Sequence, residues 1–189
     1  MYSQLTIDAL TNVAMGIELD ARLSVVLSEI MSTTGSGILK EKIVLNMVGG
    51  KQLPDVHGHD GISADGRPVE VKTEALGINY NREKLTGEGW WDKHKDWDAY
   101  LHDGTLLYQA GFVEERIAYI LEIQPDQAFR DAGKEVTATK KRSFCSRVMH
   151  WSKCQYRVLY YNPEYADQMA PSLRKAIVVQ TRSEIDRIK

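Results

Sequence analysis

The strongest constraint on the fold is a short segment, residues 53–74, that has the pattern of a β-hairpin. At its centre is Asp65-Gly66, a dipeptide that favours a two-residue turn because both residues tolerate positive φ. Residues 56–62 are therefore expected to pair with residues 68–74. This pairing decides which side chains of the segment can meet on one face of a sheet.

The second strand of the hairpin carries acids and a lysine at alternating positions. Glu70 and Lys72 lie two residues apart, and Glu74 follows at the same spacing. Side chains two residues apart on a strand point to the same face. Carboxylates are ligands for hard divalent cations, and a lysine beside such a cation suits phosphodiester hydrolysis. The pattern predicts a compact metal site, with Glu74 as an additional candidate ligand.

A second acid has to come from the first strand, and two candidates are open. Asp60 is nearer the turn, but a regular ladder around a two-residue turn would pair it with Val71 and place it on the opposite face. A bulge or bend near Gly58 or Gly61 would bring it across, because glycine inside a strand often marks such a feature. Asp55 has the right parity but lies further from the turn.

These residues resemble the signature of the PD-(D/E)xK nuclease superfamily, which includes many type II restriction endonucleases, Holliday-junction resolvases and lambda-type exonucleases. Pro54-Asp55 matches the literal PD, and Glu70-Val71-Lys72 matches (D/E)xK. The order of an acid, a turn and Glu-x-Lys is also similar to the lambda-type spacing. The resemblance implies a restriction-endonuclease-like core, in which helices flank a small mixed β-sheet.

A helix before the hairpin extends the resemblance, which covers residues 36–74. The superfamily usually has a helix at this place that carries a further glutamate. Residues 38–48 have the apolar pattern of a helix, contain Glu41, and end at Gly49-Gly50, a helix C-terminal signal.

The resemblance assigns a role to each of these side chains. It makes Asp60 and Glu70 ligands of Mg²⁺, with Mn²⁺ as a substitute, together with the backbone carbonyl of Val71. Lys72 would orient or activate the attacking water, or stabilise the developing negative charge. Glu41 would act from its helix as an outer ligand or acceptor. Asp55 remains the alternative acid.

A basic stripe in the C-terminal part predicts contacts with nucleic acid. The whole chain has a formal net charge of −2, so binding to DNA needs a local patch. Residues 140–157 contain six basic side chains and no acid. Those assigned to DNA binding are Lys140, Lys141, Arg142, Arg147 and Lys153, and Arg157 closes the stripe. Such a stripe suits a surface that follows the phosphates of duplex DNA.

The order of helices and strands predicts an α/β protein, on the border with α+β, that forms one domain over residues 1–189. N-terminal helices are expected within 3–48, the hairpin at 53–74, and the basic C-terminal part at 134–189. Further strands are expected at 105–112, 116–123 and 155–161, with helices at 3–15, 17–32 and 125–133. Residues 172–188 are expected to be partly helical, with a strand at 176–180 as the alternative.

The sequence therefore predicts a magnesium-dependent deoxyribonuclease that acts on double-stranded DNA, with a site-specific restriction enzyme as the first choice. Such an enzyme is expected to be a homodimer, because two sites cut two strands. The alternatives are a structure-specific or recombination nuclease of the resolvase, homing or exonuclease type, and a non-catalytic DNA-binding protein. No run of 18 apolar residues and no signal-peptide pattern occurs, so a cytoplasmic protein without a membrane span is expected.

Overall fold

The structure is a computed structural model that describes residues 4–17, 30, 36–53, 59–76, 86–88, 104–124, 148–150 and 155–188. Its helices are α1 (Gln4–Ala14), α2 (Ser36–Met47) and α3 (Pro171–Ile188), with a 3₁₀ helix at Pro163–Gln168. Its strands are β1 (Lys51–Gln52), β2 (Gly61–Ile62), β3 (Pro68–Ala75), β4 (Thr86–Glu88), β5 (Leu106–Val113), β6 (Arg116–Gln124), β7 (Val148–His150) and β8 (Gln155–Tyr161).

Six of these strands form one mixed sheet in the order β1-β2-β3-β5-β6-β8. The pair β3–β5 is parallel, and every other pair in this sheet is antiparallel. Strands β4 and β7 form a separate antiparallel pair. Strand β5 is buried along almost its whole length, as expected for a central strand that is covered on both faces.

Helices cover both faces of the six-stranded sheet. On one face, α1 and α2 pack their apolar residues against Val69 and Val71 of β3 and against Phe112 of β5. On the other face, α3 packs Leu173 and Ile177 against β5 and β6. The sheet between two helical layers is an α/β architecture, which confirms the predicted class at that level.

Most predicted elements have counterparts close to the expected bounds. Helix α1 and the strands β5, β6 and β8 match their predictions within two residues at each end, and α2 begins two residues earlier than expected. The alternative strand at 176–180 is wrong, because those residues belong to α3. The helices predicted at 17–32 and 125–133 lie outside the described residues, apart from a few positions of the first. Among the described residues, no helix is long and apolar enough to cross a membrane.

Candidate metal and active site

The turn between β2 and β3 contains three residues, which corrects the predicted two-residue turn. Ser63 N–H donates to the Arg67 carbonyl over 2.8 Å, so the loop consists of Ala64, Asp65 and Gly66. Gly66 N–H donates back to the Ser63 carbonyl over 3.0 Å, and Gly66 has φ +87°. A tight turn followed by a residue with positive φ is the usual three-residue hairpin loop.

The extra loop residue shifts the pairing of the hairpin by one position from the register of a two-residue turn. Gly61 pairs with Val69 and Ile62 pairs with Pro68. Continued by one position, this register would bring Asp60 opposite Glu70 instead of Val71. A one-residue slip moves every side chain of a strand to the other face. Loop length thus sets the register of β2, and Asp60 lies in a bend just before that strand.

The backbone of β3 holds the Asp60 carboxylate in place. Asp60 Oδ2 accepts a hydrogen bond from Val71 N–H over 2.7 Å. The next residue, Lys72, forms an ion pair with Glu70 Oε1. About a quarter of each of these two charged side chains is exposed (25% for Lys72 and 23% for Glu70), so solvent can reach the pair. The Asp60 carboxylate is thus held at the backbone of the residue between Glu70 and Lys72, whose ion pair is partly open to solvent.

Glu41 of helix α2 is close enough to Asp60, Lys72 and Glu70 for their charges to affect its pKa. Burial, and next the Asp60 carboxylate, raise the pKa of Glu41 to about 7. Lys72 lowers this pKa by a smaller amount. Asp60 and Glu70 both add to the rise in the pKa of Glu41, and a cation bound between these carboxylates would offset their effect.

The lysine at the centre of this cluster is charged at neutral pH. Burial tends to lower the pKa of Lys72, but Glu70 and then the other two carboxylates outweigh that effect and raise it. An ammonium group with a raised pKa is a donor of hydrogen bonds and a source of positive charge. It is not a proton acceptor near neutral pH.

The donor chemistry of the cluster fits a hard divalent cation. Among the described residues, no group of three or more His, Cys, Asp or Glu side chains is arranged to hold a metal ion. Magnesium, however, commonly takes one or two carboxylates and fills its other positions with water and phosphate. Asp60 and Glu70, with the carbonyl of Val71, the residue after Glu70, supply that smaller set of oxygen donors.

Other predicted site residues are placed differently or lie outside the described part. Glu74, the additional candidate ligand, accepts a hydrogen bond from the Tyr119 hydroxyl on β6. Arg157 forms an ion pair with Glu122 over 3.2 Å. Asp55 and five members of the basic stripe, Lys140, Lys141, Arg142, Arg147 and Lys153, lie outside the described residues.

Two buried polar side chains near Lys72, those of Gln109 and Tyr119, were not predicted. Gln109 of β5 is the register partner of Lys72 across the parallel pair, and it is 2% exposed. Tyr119 crosses over Gly111, where an added Cβ would lie 2.3 Å from its ring, and reaches Glu74. The sequence did contain a signal, because Gln109 and Gly111 interrupt an otherwise apolar strand.

The opposite face of the sheet has its own polar cluster around Glu122 of β6. Tyr108 Oη lies 3.5 Å and Arg157 Nη2 lies 3.2 Å from Glu122 Oε2. Burial, and next Glu122, raise the pKa of Tyr108 to about 12. These side chains line a cavity of about 460 Å³ that the hairpin loop also borders.

Comparison of the sequence with known protein families finds no family model that matches the chain, and comparison with curated proteins finds no matching relative.

Proposed function

We propose that this protein is a magnesium-dependent deoxyribonuclease of the PD-(D/E)xK type, with a restriction-endonuclease-like core. The observation that supports this most is that Asp60 accepts a hydrogen bond from Val71 N–H, between Glu70 and Lys72, which form an ion pair. The charges of these residues also affect the pKa of Glu41, on the helix that precedes the hairpin. The motif residues come from three separate elements, and an ordinary surface hairpin would have no reason to bring them together.

Each residue has a chemical role in the proposed reaction. Asp60 and Glu70 would hold Mg²⁺, which neutralises charge on the scissile phosphate and lowers the pKa of bound water. Lys72, as an ammonium ion, donates hydrogen bonds to the attacking water or to the phosphate oxygens as negative charge develops. Glu41 would act from its helix as an outer ligand of the cation or as a hydrogen-bond acceptor beside it.

The proposed substrate is double-stranded DNA, and the first choice of subclass is a site-specific enzyme that acts as a homodimer. The support for DNA is the basic stripe of residues 140–157 in a chain of net charge −2. A structure-specific or recombination nuclease would use the same chemistry on other DNA forms. The alternative from another functional class is a non-catalytic DNA-binding protein. The presence of all three residues, Asp60, Glu70 and Lys72, argues against it.

Digestion of supercoiled plasmid and long linear DNA tests the proposal. With Mg²⁺ or Mn²⁺, the wild-type protein is expected to give discrete bands, and EDTA should abolish them. Lys72→Ala should lower the cleavage rate by about 100- to 10,000-fold, the range for a group that assists proton transfer or charge stabilisation. Lys51→Ala, which removes an exposed lysine on β1, is the matched control and should cleave normally.

The other outcomes distinguish the alternatives. A smear or progressive shortening would keep the chemistry but favour a structure-specific or exonucleolytic enzyme. If plasmid, linear DNA and branched junctions all stay intact while the protein binds DNA in a salt-dependent way, the protein is a non-catalytic DNA-binding protein. Absence of both cleavage and salt-dependent binding would overturn the proposal altogether.

A further inference from the structure

Gln109 of β5 lies next to Lys72 of β3 in the sheet. The two residues are register partners on the parallel strands β3 and β5, and such partners point to the same face of the sheet. The strands of a sheet lie about 4.8 Å apart, so an amide on one strand is within reach of an ammonium group on the next. Gln109 is also 2% exposed, so its side chain must find its partners within the protein.

Tyr119 determines which way the Gln109 amide is turned. The Tyr119 phenol is fully buried and donates its only proton to Glu74 Oε1. Its bond with Gln109 must therefore be donated by the amide nitrogen. Burial, and next Glu74, raise the pKa of Tyr119 well above its ordinary value, so the phenol keeps its proton.

This arrangement leaves the amide oxygen for another partner. Within the part of the chain that the structure describes, Gln109 Oε1 is buried and accepts no hydrogen bond. A buried acceptor without a donor costs free energy, so such an atom in a folded protein calls for a ligand or a second arrangement of its surroundings. The ammonium group of Lys72, with three N–H donors, is the donor nearest in register.

We propose that Gln109 is a positioning residue for Lys72, and this inference rests on the proposed function. In the present arrangement, Lys72 donates to Glu70 Oε1. That carboxylate oxygen cannot serve equally well as a ligand of a cation and as the main acceptor for the lysine. When Glu70 turns to the cation, the Gln109 oxygen takes over as acceptor and keeps the ammonium group aimed at the scissile phosphate.

The test replaces the acceptor and leaves the size of the side chain unchanged. Gln109→Met should lower kcat for DNA cleavage by about 10- to 100-fold with little change in KM, because misplacement of a catalytic group by about 1 Å has effects of this size. Gln109→Leu is the substitute if Gln109→Met is too unstable to assay.

A second glutamine provides the matched control. Gln180 of α3 donates to the Tyr156 carbonyl over 2.7 Å and accepts from Val158 N–H over 2.8 Å, so it ties this helix to β8. Gln180→Met should lower the melting temperature and leave kcat unchanged. If the two methionine variants lose stability alike and neither loses kcat, the positioning role is refuted.

A readout that does not depend on cleavage separates this inference from the proposed function. The rate at which the Lys72 amine reacts with acetic anhydride, followed by mass spectrometry, reports whether its hydrogen bonds protect it. In Mg²⁺, Lys72 should react about 3-fold or more faster in Gln109→Met than in the wild type. If the wild type cuts no DNA but this difference appears, the contact is supported and the function fails. Equal reactivity refutes the contact.

Discussion

At the scale of single residues, the raised pKa of Glu41 gives a pH dependence with a definite sign. The carboxyl has an ordinary pKa of 4.5, and burial followed by Asp60 raises it to about 7 in the folded protein. The folded state therefore binds a proton more tightly than the unfolded state between these values. The stability that Glu41 contributes through this tighter proton binding is fully present below pH 4.5 and is lost as the pH rises through 7.

Glu41→Gln removes this decline, because the amide stays neutral at every pH. Without metal, the variant and the wild type should have similar free energies of unfolding at pH 4. At pH 8 the variant should be more stable by about 2 kcal/mol, a value that allows for partial screening by solvent. Urea unfolding at pH 4, 6 and 8 in EDTA measures the difference. A constant difference across this range would show that Glu41 is not the titrating group.

The choice between the two candidate acids is also a question about single residues. Asp60→Asn should lower kcat/KM for cleavage by about 100-fold or more, because even groups that only support a metal ligand change activity by about 10- to 100-fold. Asparagine keeps an oxygen for the bond from Val71 N–H, so the fold should be preserved. Asp55→Asn should stay within a few-fold of the wild type. The reverse ranking would make Asp55 the metal ligand.

The residues of the candidate site could be singled out from sequence, but the register that governs Asp60 could not. Spacing alone places Glu70 and Lys72 on one face, since alternation is a property of any strand. The position of Asp60 depends on whether the loop has two or three residues, and Asp65-Gly66 is compatible with both. Gln109 was missed because its importance comes from a neighbour on another strand.

At the scale of elements, helix α2 and the hairpin are pressed together at Gly61. A Cβ at this position would lie 2.7 Å from Leu45 Cδ1 and 2.8 Å from the Lys51 carbonyl oxygen. Gly61→Ala should therefore destabilise the protein by about 1–3 kcal/mol, the usual cost of overpacking, and displace Asp60 next to it. The expected result is a lower melting temperature together with a lower cleavage rate.

Gly37 is the matched control for this prediction. A Cβ there would meet nothing within 4 Å, and Gly37 lies in the first turn of α2. Gly37→Ala should be neutral or stabilising by up to about 1 kcal/mol, because alanine favours a helix more than glycine does. Calorimetry of both variants measures the two effects. Equal melting temperatures for the wild type and Gly61→Ala would mean that the helix and the hairpin are not closely packed.

Helices and buried strands could be predicted well because their signals are local. The apolar period and the glycine pair that ends α2 are contained in the sequence of that one element. The parallel pairing of β3 with β5 has no such signal. It depends on contacts between residues far apart in the sequence, because β3 ends at Ala75 and β5 begins at Leu106. A parallel neighbour requires a long crossover, whereas an antiparallel one requires only a turn.

At the scale of the whole molecule, a chain with 24 basic and 26 acidic residues needs a concentrated basic surface in order to bind DNA. The stripe of residues 140–157 is the sequence feature that could supply one, although most of it lies outside the described residues. Each phosphate contact made by a basic side chain releases condensed counterions. The logarithm of the binding constant therefore falls linearly with the logarithm of the salt concentration, with a slope proportional to the number of contacts.

Replacement of Lys140, Lys141 and Arg142 with glutamine should therefore reduce the slope of log K against log salt by about 2 to 3. Fluorescence anisotropy with a labelled duplex, in Ca²⁺ to avoid cleavage, measures this slope. The control replaces Arg174, Lys175 and Arg182 of α3, which changes the net charge by the same amount. If both triple variants reduce the slope equally, the net charge of the molecule governs binding. A loss confined to the first triple variant would place the DNA at the stripe.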